Sequence, residues 1–122
     1  MLMLLSLGAC SANAHDSKLR TEIEAAYWIV SDGCAYSTDE AALSPWRKGK
    51  ARYHHLKVQA NGLPRGRLFA SVEAQVNELL SRMDIDCPET DSAEALAKLD
   101  ENGRALDTHL NSIERLLKER PS

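Results

Sequence analysis

The sequence predicts an all-α protein, a small antiparallel bundle of about four helices closed by one disulfide between Cys34 and Cys87. Three observations lead there. Apolar residues recur at helical spacing in four separate segments. Cap residues, prolines and glycines punctuate those segments. Two cysteines sit just beyond the ends of the first and third segments, where an antiparallel arrangement brings the chain back to the same pole. The length of 122 residues suits one domain.

The first helix is expected to begin after a polar tether, capped by Asp16 or Ser17. Leu19, Ile23, Ala26, Tyr27 and Val30 follow the helical period, and Ser31-Asp32-Gly33 ends it. Ser37 and Glu40 have capping-box spacing and predict at most a short turn through Leu43. Ser44 as N-cap and Pro45 as first residue open the second helix. Its face is Trp46, Gly49, Tyr53, Leu56 and Ala60, and Asn61-Gly62 stops it. Leu63-Pro64-Arg65-Gly66 reads as a loop.

The third helix places Leu68, Val72, Val76, Leu79, Leu80 and Met83 on one stripe and ends around Asp84 to Asp86. Asp91 and Glu94 form a capping-box pair that opens the last helix. There Leu96, Leu99, Gly103, Leu106, Leu110, Ile113 and Leu117 alternate steps of three and four, a heptad seam. Glu94 with Lys98 and Glu114 with Lys118 support it as i,i+4 pairs. Asn102-Gly103 is also a turn signal. The seam keeps register across that glycine, which favours one helix of about 40 Å over a hairpin.

The N-terminal Leu7-Gly8-Ala9-Cys10 resembles the lipobox of bacterial lipoproteins, in which the cysteine becomes the lipidated first residue of the mature chain. The division expected is 1–14 as export signal, lipobox and tether, and 15–122 as one helical domain. The apolar run is short and no Lys or Arg precedes it. Two other readings stay open. Ala12-Asn13-Ala14 is an A-x-A site, so cleavage before His15 would release a soluble periplasmic protein. The segment could also be a buried N-terminal piece with an incidental cysteine. Either cleavage leaves Cys34 and Cys87, an even pair in an oxidising compartment; two buried reduced thiols are the alternative. A bridge would constrain the unfolded chain by roughly 4 kcal/mol. No apolar run reaches the length of an ordinary transmembrane helix.

The chain carries 15 Lys and Arg against 18 Asp and Glu, for a net charge of −3. These charges are segregated. Residues 41–72 hold seven cations (Arg47, Lys48, Lys50, Arg52, Lys57, Arg65, Arg67) and no acid. The flanking segments are acidic. A basic helix neutralised by acidic neighbours is one reading; a patch for an anionic partner is the other. Export argues against nucleic acid and leaves anionic lipid head groups, lipopolysaccharide, peptidoglycan or an acidic protein.

No catalytic constellation stands out. His54-His55 are adjacent, so on a helix they point about 100° apart, whereas chelation on a helix needs i,i+4 spacing. No metal site or cofactor is expected. His109 falls on the polar side of the last helix and reads as solvated. No nucleophile elbow, Walker A or Rossmann glycine pattern is present. Trp46 and Tyr53 read as core, Trp28 as the better candidate for an exposed contact.

Glu22-Ile23, Ser31 through Cys34 to Tyr36, Arg47-Lys48-Gly49, and Ala51 with His55-Leu56-Lys57 follow one another in an order with a family counterpart. Across Glu22 to about Ser81 the chain resembles the YfeK-like family of small exported bacterial proteins, a domain of unknown function. It departs from that family in the spacing on both sides of Cys34 and in lacking a Ser/Gly-rich segment before Pro-Tyr. The resemblance implies export and adds no activity. The expectation is therefore a non-enzymatic envelope lipoprotein facing the periplasm from the inner or outer membrane, with a binding, scaffolding or accessory role. A periplasmic inhibitor or immunity protein is the alternative. The heptad seam offers self-association as a further use.

Overall fold

The computed structural model describes the backbone of residues 2–61 and 66–119 and, within these, side chains from residue 14 onward. Four helices follow one another: α1 (Leu2–Val30), α2 (Glu40–Ala60), α3 (Gly66–Leu80) and α4 (Ala93–Lys118). No strand occurs among the described residues. The Cys34–Cys87 disulfide is formed, with Cα atoms 5.5 Å apart.

Helix directions follow from paired residues. His15 meets Leu116, Glu22 meets His109 and Asp32 meets Asn102, so α1 and α4 are antiparallel. Tyr53 and Lys57 both reach Glu73, and Gly66 lies against Ala60, so α2 and α3 are antiparallel. Gly49 meets Leu106 while Arg52 reaches Glu114, so α2 and α4 run parallel. Helices α1 and α3 are then parallel, and their C-terminal ends share the pole that holds the disulfide, as expected. The pairing of neighbours is less obvious: α4 packs most extensively on α1 and then on α2, and α3 packs chiefly on α1. Chain neighbours α1 and α2 touch little.

The main core joins Leu19, Ile23, Ala26 and Val30 of α1 to Tyr53 and Leu56 of α2, Phe69, Val72 and Val76 of α3, and Leu106, Leu110 and Ile113 of α4. Burying these large apolar side chains supplies the main stabilisation, roughly 1.5–3 kcal/mol each. A smaller cluster of Tyr36, Ala95 and Leu99, with Trp46 packed against it, sits at the disulfide pole.

Several boundaries differ from expectation. Asp16 and Ser17 do not cap α1; the helix runs through them, because no Gly or Pro interrupts the chain between Gly8 and Gly33. Nor does Ser44 cap α2. Asp39 does, accepting from the Ala41 N–H, and Pro45 lies inside the helix. The Glu40-Ala41-Ala42-Leu43 run forms helix readily, and Ala41, whose carbonyl loses its partner at Pro45, is exposed to water. Ser37 is not the cap of a box with Glu40; its hydroxyl accepts from the Asp39 N–H and donates to Asp91.

Helix α3 stops at Leu80 rather than near Asp84, and its tail unwinds through i→i−3 bonds to Leu79 and Leu80. The chain must leave the helix axis to bring Cys87 to Cys34. Leu79 and Met83 are consequently 48% and 52% exposed, while Phe69, at the other end of α3, is buried. Ser92, not Asp91, caps α4, its hydroxyl accepting from the Ala95 N–H. Asp91 adopts φ 64°, a conformation that Asp tolerates better than most residues. Leu63, Pro64 and Arg65 of the expected loop lie outside the described residues, and Gly66 already belongs to α3.

Helix α4 is continuous through Asn102-Gly103, over 26 residues. Its buried line is Ala95, Leu99, Asn102, Leu106, Leu110, Ile113 and Leu116, so Asn102 is interior. Leu96 and Gly103 of the expected seam turn instead toward α2. Of the remaining seam, Leu106, Leu110 and Ile113 enter the main core, Leu117 packs against it, and Leu99 enters the smaller cluster.

Candidate functional site

Buried and half-buried polar side chains form hydrogen-bonded sets between the helices. Tyr53 donates to Glu73 Oε2 at 2.6 Å, and Lys57 donates to Glu73 Oε1 at 2.6 Å. Burial, then the Glu73 carboxylate, pushes the Tyr53 hydroxyl far above its ordinary pKa. Tyr36 donates to Asp32 Oδ2 at 2.5 Å, and Asn102 donates to the same oxygen at 3.3 Å. Burial and the Asp32 carboxylate push Tyr36 up to about 12. His109 is half-buried rather than fully solvated: its Nδ1 lies 2.6 Å from Glu22 Oε2, because antiparallel packing brings α1 across that face of α4. None of these sets was visible in the sequence, since each partner lies at least 16 residues away except the Asp32–Tyr36 pair.

A second polar set stitches the disulfide pole. The Asp91 carboxylate accepts from the Ser37 hydroxyl, the Thr38 N–H and the Thr38 hydroxyl. Those three donors lower the Asp91 pKa. Glu114 is lowered too, first by Arg52 and then by Lys118. Both groups therefore bind fewer protons folded than unfolded. Their stabilisation is present above the ordinary carboxylate range and is lost as pH falls through the folded values, below about pH 4. The urea midpoint is expected to drop between neutral pH and pH ~3, and less so in Asp91→Asn. Equal acid sensitivity in the two proteins would remove Asp91 from that account.

The basic segment is divided by its partners. Arg47 pairs with Glu40, Arg52 reaches Asp107, Asn111 and Glu114, and Lys57 holds Glu73. Lys50 sits over the Trp46 ring, 4.4 Å from its centroid. Lys48 and Arg67 carry no ion pair among the described residues. Arg65 lies outside them, as does the Cys10 side chain. His54 and His55 are exposed. No group of side chains suited to a metal ion occurs among the described residues, and no helix there is long and apolar enough to cross a membrane. Trp28 is half-buried and packs on the main core.

A groove of about 740 Å³ lies between α2 and α4, within the size range of ligand pockets. Trp46, Gly49, Leu96, Leu99 and Gly103 supply its apolar lining. The Trp46 Nε1 is buried without a hydrogen-bond partner among the described residues. Lys48, Arg52, Asp100, Arg104 and Asp107 form the rim. Asp107 is engaged by Arg52, and Asp100 by Arg104.

The two glycines in this groove differ. A Cβ on Gly49 would lie 2.7 Å from Leu106 Cδ2, whereas a Cβ on Gly103 would meet nothing within 4 Å. A mid-helix glycine costs about 1 kcal/mol relative to alanine. At Gly49 close packing requires it; at Gly103 nothing in the fold does. Gly103→Ala is expected to stabilise by about 1 kcal/mol. In Gly49→Ala the same gain is opposed by overpacking of about 1–3 kcal/mol against a fully buried leucine. Thermal melts should rank Gly103→Ala above the parent and Gly49→Ala below it. Equal gains at both sites would mean that Leu106 yields freely.

Comparison with family models, curated proteins and solved structures finds no significant match.

Proposed function

We propose that this chain is a non-catalytic lipoprotein of the bacterial envelope, anchored through Cys10, whose helical domain binds another envelope component. The observation that carries the reading is the Cys34–Cys87 bridge. Disulfides form and persist outside the reducing cytosol, and the lipobox supplies a route there. The YfeK-like resemblance has the same implication. The interior tyrosines and His109 are engaged with structural partners, which favours a binding surface over an acid–base site.

Cleavage before Cys10 would leave Ser11–Ala14 between the acylated residue and His15, whose ring donates to the Leu116 carbonyl at 3.2 Å. The five Cα steps from Cys10 to His15 span at most about 18 Å. The pole carrying the start of α3 and Arg67 would thus lie near the bilayer, and the disulfide pole would face away. Each cation close to an anionic surface adds roughly 1 kcal/mol. Binding of the Cys10→Ser chain to anionic vesicles is expected to fall steeply with salt and to weaken in Arg67→Glu. Indifference to salt and to lipid charge would remove the electrostatic contact.

Mass analysis of the protein from native cells tests the reading as a whole. The expected product begins at an acylated Cys10 and has no free thiol. An intact, unacylated N-terminus with two free thiols overturns it. Cleavage before His15 with the bridge intact would convert the anchor into a soluble periplasmic form. Capture of an envelope hydrolase by the folded domain would favour the inhibitor role over scaffolding.

A further inference from the structure

We propose that the groove between α2 and α4 docks an amphipathic helix of a partner protein, with aliphatic anchors on one face and carboxylates along the edge that meets α2. This names the surface and the partner class for the binding role above, and it rests on that role.

Gly103 is the first observation. It weakens a long helix, needs no special backbone angle, and faces open space where a side chain would meet no atom. The fold gains nothing from the missing side chain; a body lying in the groove does, because it can approach the α4 backbone. Leu96 is the second. It is 41% exposed at the same groove, next to half-buried Trp46.

Shape selects a helix. The lining extends along α2 from Ala41 to Arg52, about 16 Å or three turns. It lies between two parallel helices, and it matches anchors at i, i+4 and i+7 on a third. Charge selects the sign. The rim acids Asp100 and Asp107 are engaged by Arg104 and Arg52. Lys48 is without an ion pair among the described residues, and Lys50 sits over the Trp46 ring. The α2 edge is therefore left basic.

Calorimetry of the full chain with two synthetic helical peptides of about fourteen residues tests this. Both carry leucines at i, i+4 and i+7; one flanks them with glutamate, the other with lysine. Saturable binding of the glutamate peptide is expected, with the lysine peptide weaker by about tenfold or more. Gly103→Leu, whose side chain would enter the empty space, should weaken the glutamate peptide by about tenfold or more while melting cooperatively. Lys48→Glu, at an exposed position, should narrow or reverse the preference between peptides.

The proposal is overturned if neither peptide binds at about millimolar concentration. It is also overturned if both variants bind like the parent, or if dodecanoate occupies the groove and the peptides do not. A partner captured from envelope extract equally by the parent and Gly103→Leu would leave the binding role standing and overturn the groove.

Discussion

Replacing Cys34 and Cys87 together by serine is expected to lower the free energy of unfolding by about 4 kcal/mol. The two residues lie 53 positions apart, so the bridge removes a large part of the unfolded chain's freedom. The native geometry is also held by other bonds. Thr90 donates its hydroxyl to the Ala35 carbonyl, the Asp91 N–H donates to the Tyr36 carbonyl, and the Asp91 carboxylate receives Ser37 and Thr38. The loop pair should therefore stay in place without the bridge, and the loss should come through the unfolded state. Two measurements separate that account from a local one. Urea titration should show a steeper dependence on denaturant in the double variant, because its unfolded state exposes more surface. Backbone amide chemical shifts should change only near residues 34–38 and 87–91. A loss under about 1 kcal/mol, or shifts spread through α1 and α3, would place the effect in the native state instead. Since single domains have only about 5–15 kcal/mol in hand, this is the substitution pair most able to unfold the protein at growth temperature.

How far the fold could be read from sequence varies by element. Helix α4 was legible over most of its length. Leu99, Leu106, Leu110 and Ile113 lie on the expected seam and are buried. The seam fails at Leu96 and Gly103 because α4 is packed between α1 and α2, so its buried face is broader than a coiled-coil stripe. Neighbouring caps misled in a regular way. Ser44-Pro45 and Asp91 are sound local signals, but Asp39 and Ser92 have better use in the tertiary structure. There Asp91 is free to bind the Ser37–Thr38 segment. The heterogeneous charge of α2 was legible as a pattern and not as a function. Sequence could not tell that Arg52 and Lys57 meet acids on α4 and α3, respectively. The candidate groove was wholly illegible. It exists only because α2 and α4, which share no adjacent sequence, run parallel, with Gly49 packed on Leu106 and Gly103 open to the groove.

Phe69→Ala is expected to cost about 3–5 kcal/mol, whereas Leu79→Ala on the same helix should cost under about 1 kcal/mol. Periodicity alone placed Leu79 on the core stripe and passed over Phe69. The structure reverses their order: Phe69 is 1% exposed and Leu79 is 48% exposed. The difference arises at the ends of α3. At its start, Phe69 sets its ring edge-on to Tyr53, with centroids 5.9 Å apart. Tyr53 is in turn fixed by its hydroxyl donation to Glu73 on the following turn of α3. Helices α2 and α3 touch little elsewhere; besides the approach of Gly66 to Ala60, they meet through this aromatic contact and the Tyr53–Glu73–Lys57 set. At its end, α3 unwinds toward the disulfide and Leu79 is left beside solvent. Truncating Phe69 opens a cavity next to a buried hydroxyl and a partly buried carboxylate, and only partial collapse can offset it. Equilibrium unfolding of the two alanine variants compares them directly. A cost for Leu79→Ala equal to that for Phe69→Ala would mean that α3 is rotated about its axis from the orientation described here. It would also mean that the contact between α2 and α3 does not run through Tyr53.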